Sequence, residues 1–98
     1  MYGTVARMRV KPGMEERLRA FSEAETAANM PGFVGQYVFR MDADPSEYYV
    51  AVVFESKEAY FANANSPEQH ARYQEMVAML EGAPEWHDGE VVDMYPRR

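Results

Sequence analysis

The 98 residues suffice for one domain and are too few for two, so residues 1–98 read as a single unit around one small core. The absence of cysteine excludes a disulfide framework and thiolate metal sites, and the net charge of −6 argues against nucleic acid, whose phosphates call for a basic surface. No apolar run reaches the length of a membrane span and Met1-Tyr2 enters a strand-like pattern with no signal peptide, so no membrane partner is expected and the expected location is cytoplasmic.

Tyr2 to Val10, YGTVARMRV, alternates with period two. Thr4, Ala6, Met8 and Val10 fall on one side, with Gly3, Val5, Arg7 and Arg9 on the other. Lys11-Pro12-Gly13 ends this strand. Met14, Leu18, Phe21 and Ala28 then recur at helical spacing among charged residues, which predicts an amphipathic helix ending before Met30-Pro31-Gly32-Phe33.

Phe33 to Arg40, FVGQYVFR, is rich in aromatic and β-branched residues and predicts a second strand. Met41–Glu47, MDADPSE, is dense in turn formers and reads as a hairpin connection. It lacks the ligand spacing of a calcium-binding loop. Tyr48 to Glu55, YYVAVVFE, is a nearly continuous apolar run, the pattern of a strand covered on both faces.

Lys57 to Asn65 predicts a short helix. Ser66 opens a longer one: Ser-Pro-Glu-Gln has Ser at the N-cap, Pro at the first helical position and Gln three after the cap. This helix is expected to reach about Glu81, with Gly82 as its stop. Glu85 to Tyr95 supplies a final strand.

The order is that of an α+β, ferredoxin-like βαββαβ unit, a four-stranded antiparallel sheet with helices on one face. The opposite face would carry Val5, Arg7, Arg9 and the alternate residues of the other strands. An uncovered apolar face marks an interface. The expected partner is a second copy of the chain, joined through the exposed sheet face into a dimeric α/β barrel.

Four stretches carry a family resemblance: VARMRVKPG (Val5–Gly13), PGFVGQYVFR (Pro31–Arg40), VVFESKEAYFANANSPEQHARY (Val52–Tyr73) and the closing strand. Together they resemble the antibiotic-biosynthesis monooxygenase domain of the dimeric α/β-barrel superfamily. The resemblance implies the same fold and dimer, and a ligand pocket between helices and sheet. It implies one of several activities, among them cofactor-free oxygenation of polyketide aromatics and quinols, haem breakdown and processing of signal molecules.

The haem-degrading branch carries an asparagine on the first strand, a tryptophan on the short helix and a histidine on the long one. Those positions fall on Ala6, near Ala64 and near Tyr73, so haem degradation is rejected. The quinol-oxidising branch often carries a histidine four residues after the alanine of its ES..A motif. Here the motif is Glu55-Ser56-Lys57-Glu58-Ala59, and that position is Asn63.

His70, Tyr73, Val77 and Leu80 fall at i, i+3, i+7 and i+10, one helical stripe. If Val77 and Leu80 face the sheet, His70 and Tyr73 lean toward the pocket at its open end. His70 is the candidate base and Tyr73 the candidate donor to an oxyanion. The positive end of the helix dipole disfavours an imidazolium in the first turn. The alternative is that His70 sits at an edge and bonds a backbone carbonyl.

Asn63, Met8, Phe54 and Met76 are the expected substrate contacts, the methionines offering an adaptable apolar wall. Asn63 and Asn65 have a second reading as the end of the short helix and its turn. Adjacent strand residues face opposite ways, so only one of Trp86 and His87 can enter the pocket. Trp86 is expected as an interface or core anchor and His87 as exposed. Arg7 and Arg9 are expected to pair with acidic residues such as Asp93 across a dimer, or to be solvated rim charges. The two histidines lack metal-ligand spacing, and no metal or cofactor is expected.

Two functions follow: a cofactor-free monooxygenase of small electron-rich aromatics (quinols, phenols or anthrones), or a non-enzymatic dimeric module that binds a small apolar ligand or a partner.

Overall fold

The computed structural model describes residues 1–27 and 30–96. The chain runs β1 (Tyr2–Arg9), α1 (Glu15–Ala27), β2 (Phe33–Arg40), β3 (Glu47–Phe54), α2 (Lys57–Ala64), α3 (Pro67–Val77) and β4 (Glu85–Glu90). The strands form one sheet in the order β2-β3-β1-β4, every neighbouring pair antiparallel. This is the ferredoxin-like arrangement. Ala28, assigned to the first helix from its spacing, lies outside the described residues.

Period-two alternation in β1 becomes the two faces of the sheet. Thr4, Ala6 and Met8 are buried, while Val5, Arg7 and Arg9 are exposed. Ala6, Met8 and Val10 join Leu18, Tyr48, Met79 and Leu80 in the core. The register aligns Gln36, Val52, Thr4 and Asp88 in one row across the sheet, and Val38, Val50, Ala6 and Trp86 in the next.

Two Pro-Gly turns set the entry and exit of α1. Met14 N donates to Lys11 O and Phe33 N donates to Met30 O, so each turn closes over a Pro-Gly pair. Gly13 and Gly32 have φ of 83° and 79°, the left-handed region a type II turn demands at its third residue. Gly32 also meets a steric limit, since a Cβ there would lie 2.6 Å from Ala59 Cβ.

Two predicted boundaries are corrected. The long helix ends at Val77, not near Glu81. Met79 and Leu80 leave it through tight bonds to Met76 O and Val77 O. Lys11 N then donates to Met79 O, Glu81 N to Arg9 O, and Leu80 bridges Val10. Strand pairing and burial of Met79 and Leu80 thus outcompete further helical turns.

The last strand stops at Glu90, not Tyr95. Its ladder with β1 closes at Tyr2↔Glu90, and Val91 N donates to Met1 O.

Arg7 and Arg9 find partners inside the chain. Arg7 pairs with Glu47 and lies 3.9 Å from Glu85. Arg9 bonds Asp44 at 2.7 Å and lies 3.6 Å from Glu81. Asp44 also accepts from Ser46 N at 3.0 Å, so the Asp-rich loop is a turn clamped onto β1. Among the described residues no helix is long and apolar enough to cross a membrane.

Candidate functional site

The inner face of the sheet and all three helices enclose a cavity of about 370 Å³. Its floor includes Thr4, Met8, Val50, Val52, Phe54 and Trp86. Leu18 and Phe21 of α1, Tyr60 and Asn63 of α2, and His70, Arg72, Tyr73 and Met76 of α3 complete it.

The six residues singled out from the sequence all line this space. Met8 and Phe54 are buried in its wall at 4% and 2% exposure. Asn63, Tyr73 and Met76 are half-buried. His70 is exposed, so it lies at the cavity's rim, with Nε2 3.4 Å from Gln74 Nε2. The expected stripe is only partly realised, because Leu80 lies beyond the end of α3.

The start of α3 organises one polar group. Ser66 Oγ accepts from Gln69 N at 3.1 Å and donates to Asn63 O at 2.8 Å. The reciprocal half of the expected capping box is not made, because Ser66 N is committed to Asn63 O in the last turn of α2. The Gln69 side chain turns elsewhere. Its Oε1 accepts from Asn63 Nδ2 at 3.3 Å and from Arg72 Nε and Nη2 at 3.3 and 3.1 Å. Arg72 therefore presents a guanidinium to the cavity, held by a neutral amide.

Arg72 was not singled out from the sequence, nor were Tyr60, Asp88 and Thr4. Tyr60 OH donates to Asp88 Oδ1 at 2.9 Å. Burial, then this bond to a carboxylate, push the Tyr60 phenol up from 10.0 to about 12, so it remains a donor. Thr4, opposite Asp88 in the register, lies close enough to Tyr60 to oppose that rise but completes no hydrogen bond. An acidic residue on a predicted strand was the only available signal, and it named neither partner.

Trp86 belongs to the cavity wall. Its ring lies 6.3 Å from that of Tyr73, and it is 42% exposed. His87 points to the other face, where Nε2 is 2.7 Å from Glu85 Oε1. Among the described residues no cluster of three His, Asp or Glu side chains is arranged for a metal ion.

Residues 1–76 match the profile of the family described as antibiotic biosynthesis monooxygenase. No curated protein matches the chain. Among solved structures, a candidate antibiotic biosynthesis monooxygenase from Chloroflexus aurantiacus is 26% identical. The match covers 96% of this chain and 95% of that one, with a TM-score of 0.76. A variant of SnoaB, a cofactor-independent oxygenase from Streptomyces nogalater, is 20% identical. There the coverage is 98% and 97%, with a TM-score of 0.81. A candidate family member from Caulobacter crescentus is 22% identical, covers 94% and 90%, and has a TM-score of 0.78.

Proposed function

We propose that this chain, which belongs to the antibiotic biosynthesis monooxygenase family, oxidises a small electron-rich aromatic with dioxygen and no cofactor. Family membership supports a monooxygenase-type function, and the structural likeness to SnoaB is in keeping with the cofactor-free form. The observation that carries the reading is the cavity, an aromatic and aliphatic chamber with imidazole, phenol and guanidinium side chains on one helix.

The substrate supplies the electrons. His70 accepts a proton from the bound phenol, quinol or anthrone, leaving an electron-rich anion. Tyr73 and Arg72 stabilise the developing negative oxygen. Met8, Phe54 and Met76 hold the ring and keep water away, and Asn63 faces the oxygenated edge. The anion reduces dioxygen directly. At an anthrone methylene, one oxygen atom becomes the carbonyl and the other leaves as water with the two hydrogens of the carbon.

Oxygen uptake against a panel of hydroquinones, anthrones and catechols tests this. Turnover by the native chain, reduced about 10²–10⁴-fold in His70→Ala, is the expected result. Binding without oxygen uptake overturns the enzyme and supports the second reading, a ligand-binding module. That reading draws on the exposure of His70 and on the engagement of Asn63 with Gln69.

The functional unit is proposed to be a homodimer. The sheet face away from the helices exposes Val5 (50%), Tyr37 (73%) and Phe39 (52%), an apolar surface suited to a second copy.

A further inference from the structure

The Gln69 side chain leaves the capping role that its place in the sequence predicts. Its single Oε1 carries three donors, Asn63 Nδ2 at 3.3 Å and Arg72 Nε and Nη2 at 3.3 and 3.1 Å. All three exceed the heavy-atom separation of a good N–H to O bond, about 2.9–3.0 Å. Arg72 is half-buried, and among the described residues it makes no ion pair. Its guanidinium is therefore held by one shared, neutral oxygen.

This polar group stands between two spaces. A second hollow, of about 510 Å³, lies among the Pro31-Gly32 turn, α2 and the start of α3. It shares three lining residues with the inner cavity: Met30, Asn63 and Arg72. Met30 is buried. Asn63 and Arg72 are the two side chains that Gln69 holds. The outer hollow is also lined by Glu55 and Glu68, both exposed. Glu68 precedes Arg72 by four residues on α3, the order and spacing at which a helical carboxylate pairs with a cation.

We infer that Arg72 gates a passage between the cavity and the outer hollow, with Gln69 as its closed-state latch and Glu68 as its open-state partner. In the closed position, the one observed, the guanidinium bonds Gln69 and is presented to the cavity. In the open position it exchanges that amide for the Glu68 carboxylate, and the two spaces join. Two bonds from a charged donor outweigh one exposed helical ion pair, so the closed position is favoured. The length of those bonds keeps the open position within reach as a minor state. Closure shields a bound ring from water on this side, and opening gives it a route through the helix layer apart from the His70 rim. The gate rests on the reading of the cavity as a ligand chamber, and adds to it a route and a positioning residue, Gln69.

Stopped-flow mixing with 1-aminoanthracene, a neutral arene that brightens in apolar surroundings, reads the association and dissociation rates of the native chain and three variants. Gln69→Met removes the latch and should raise both rates together by about tenfold, the worth of a hydrogen bond to a charged group. Gln69→Glu keeps the acceptor and gives it a charge, so both rates should fall by about threefold to tenfold. Glu68→Gln removes the open-state partner, and both rates should fall by about twofold, the worth of a helical i, i+4 pair. The dissociation constant should stay nearly constant throughout, because the ring makes the same contacts once inside.

Native rates in all three variants overturn the gate, because exchange then runs through the His70 rim alone. So does a change confined to dissociation, since Gln69 would then hold the ligand and not the route. Gln69→Met and Gln69→Glu moving the rates in the same direction also overturn it, because α3 would merely have loosened. Failure of the probe to bind the native chain removes the chamber and the gate with it. The outcome is independent of turnover. Opposed rate changes without oxygen uptake on any panel substrate sink the oxygenase reading and leave the gate standing. Oxygen uptake with exchange rates indifferent to Gln69 does the reverse.

Discussion

The phenol of Tyr60 donates a 2.9 Å hydrogen bond to Asp88 Oδ1, joining α2 to β4 across 28 residues of sequence. Burial and the neighbouring carboxylate together hold the Tyr60 proton up to about 12, against 10.0 for the free phenol. The folded chain therefore keeps a proton that the unfolded chain has already released. This stabilisation is complete below about pH 10 and is lost as pH rises through about 12. Absorbance titration should show one tyrosine ionising late, and Tyr60→Phe should remove it. Asp88→Asn should bring Tyr60 down part of the way, because burial, the larger cause, remains. A late tyrosine that survives in Tyr60→Phe would contradict the assignment.

Ser66 closes the N-terminus of α3 through Gln69 N and ties it to α2 through Asn63 O. Ser66→Ala should cost about 1 kcal/mol in denaturant unfolding, a typical cap value. Ser66→Asp, which retains an acceptor at the cap, should recover most of it. An unchanged unfolding midpoint in Ser66→Ala would mean that the cap contributes nothing.

Gly32 combines a left-handed backbone with close contact against α2. Gly32→Ala should lose about 1–3 kcal/mol from the backbone alone. The contact with Ala59 adds to that loss. Ala59→Gly in the same chain should return the steric part and leave the backbone part. Thermal unfolding of the two single variants and the double variant separates these contributions, and strict additivity would rule out the clash.

Leu18 carries α1 into the core and is 5% exposed. Leu18→Ala should cost about 2–5 kcal/mol, the range for truncating a buried leucine. Leu18 also lines the cavity. The enlarged space should therefore accept bulkier arenes than the native chain does. A loss below about 1 kcal/mol would indicate that α1 adds little to the core.

Val5 lies at the middle of the exposed sheet face, paired with Ala51 on one side and His87 on the other. Sedimentation of the native chain at micromolar concentration should give a dimer. Val5→Asp should give an 11.3 kDa monomer or an unstable chain, because the dimer would bury an unpaired carboxylate. A native chain that sediments as a monomer at every concentration would remove the barrel from consideration.

Local chemistry alone determined much of this protein. Alternation over Tyr2–Arg9 encodes the two faces of β1, because successive strand side chains point opposite ways. Pro-Gly at 12–13 and 31–32 encodes the turns around α1, and Ser66-Pro67 the start of α3. These signals act within a few residues, so the antiparallel ferredoxin-like order was legible, whereas of the side chains that line the cavity only Met8, Phe54, Asn63, His70, Tyr73 and Met76 were named in advance.

Tertiary structure decided the rest. α3 stops at Val77 because Lys11 N and Arg9 O, sixty or more residues away in the chain, capture Met79 and Glu81. Trp86 became a cavity wall and Arg7 and Arg9 found Glu47 and Asp44 through strand register, which no local pattern reports. Thr4, Tyr60 and Asp88 meet only where β1, α2 and β4 converge. Their positions follow from the packing of elements distant in sequence, and helical or strand periodicity carries no information about that packing.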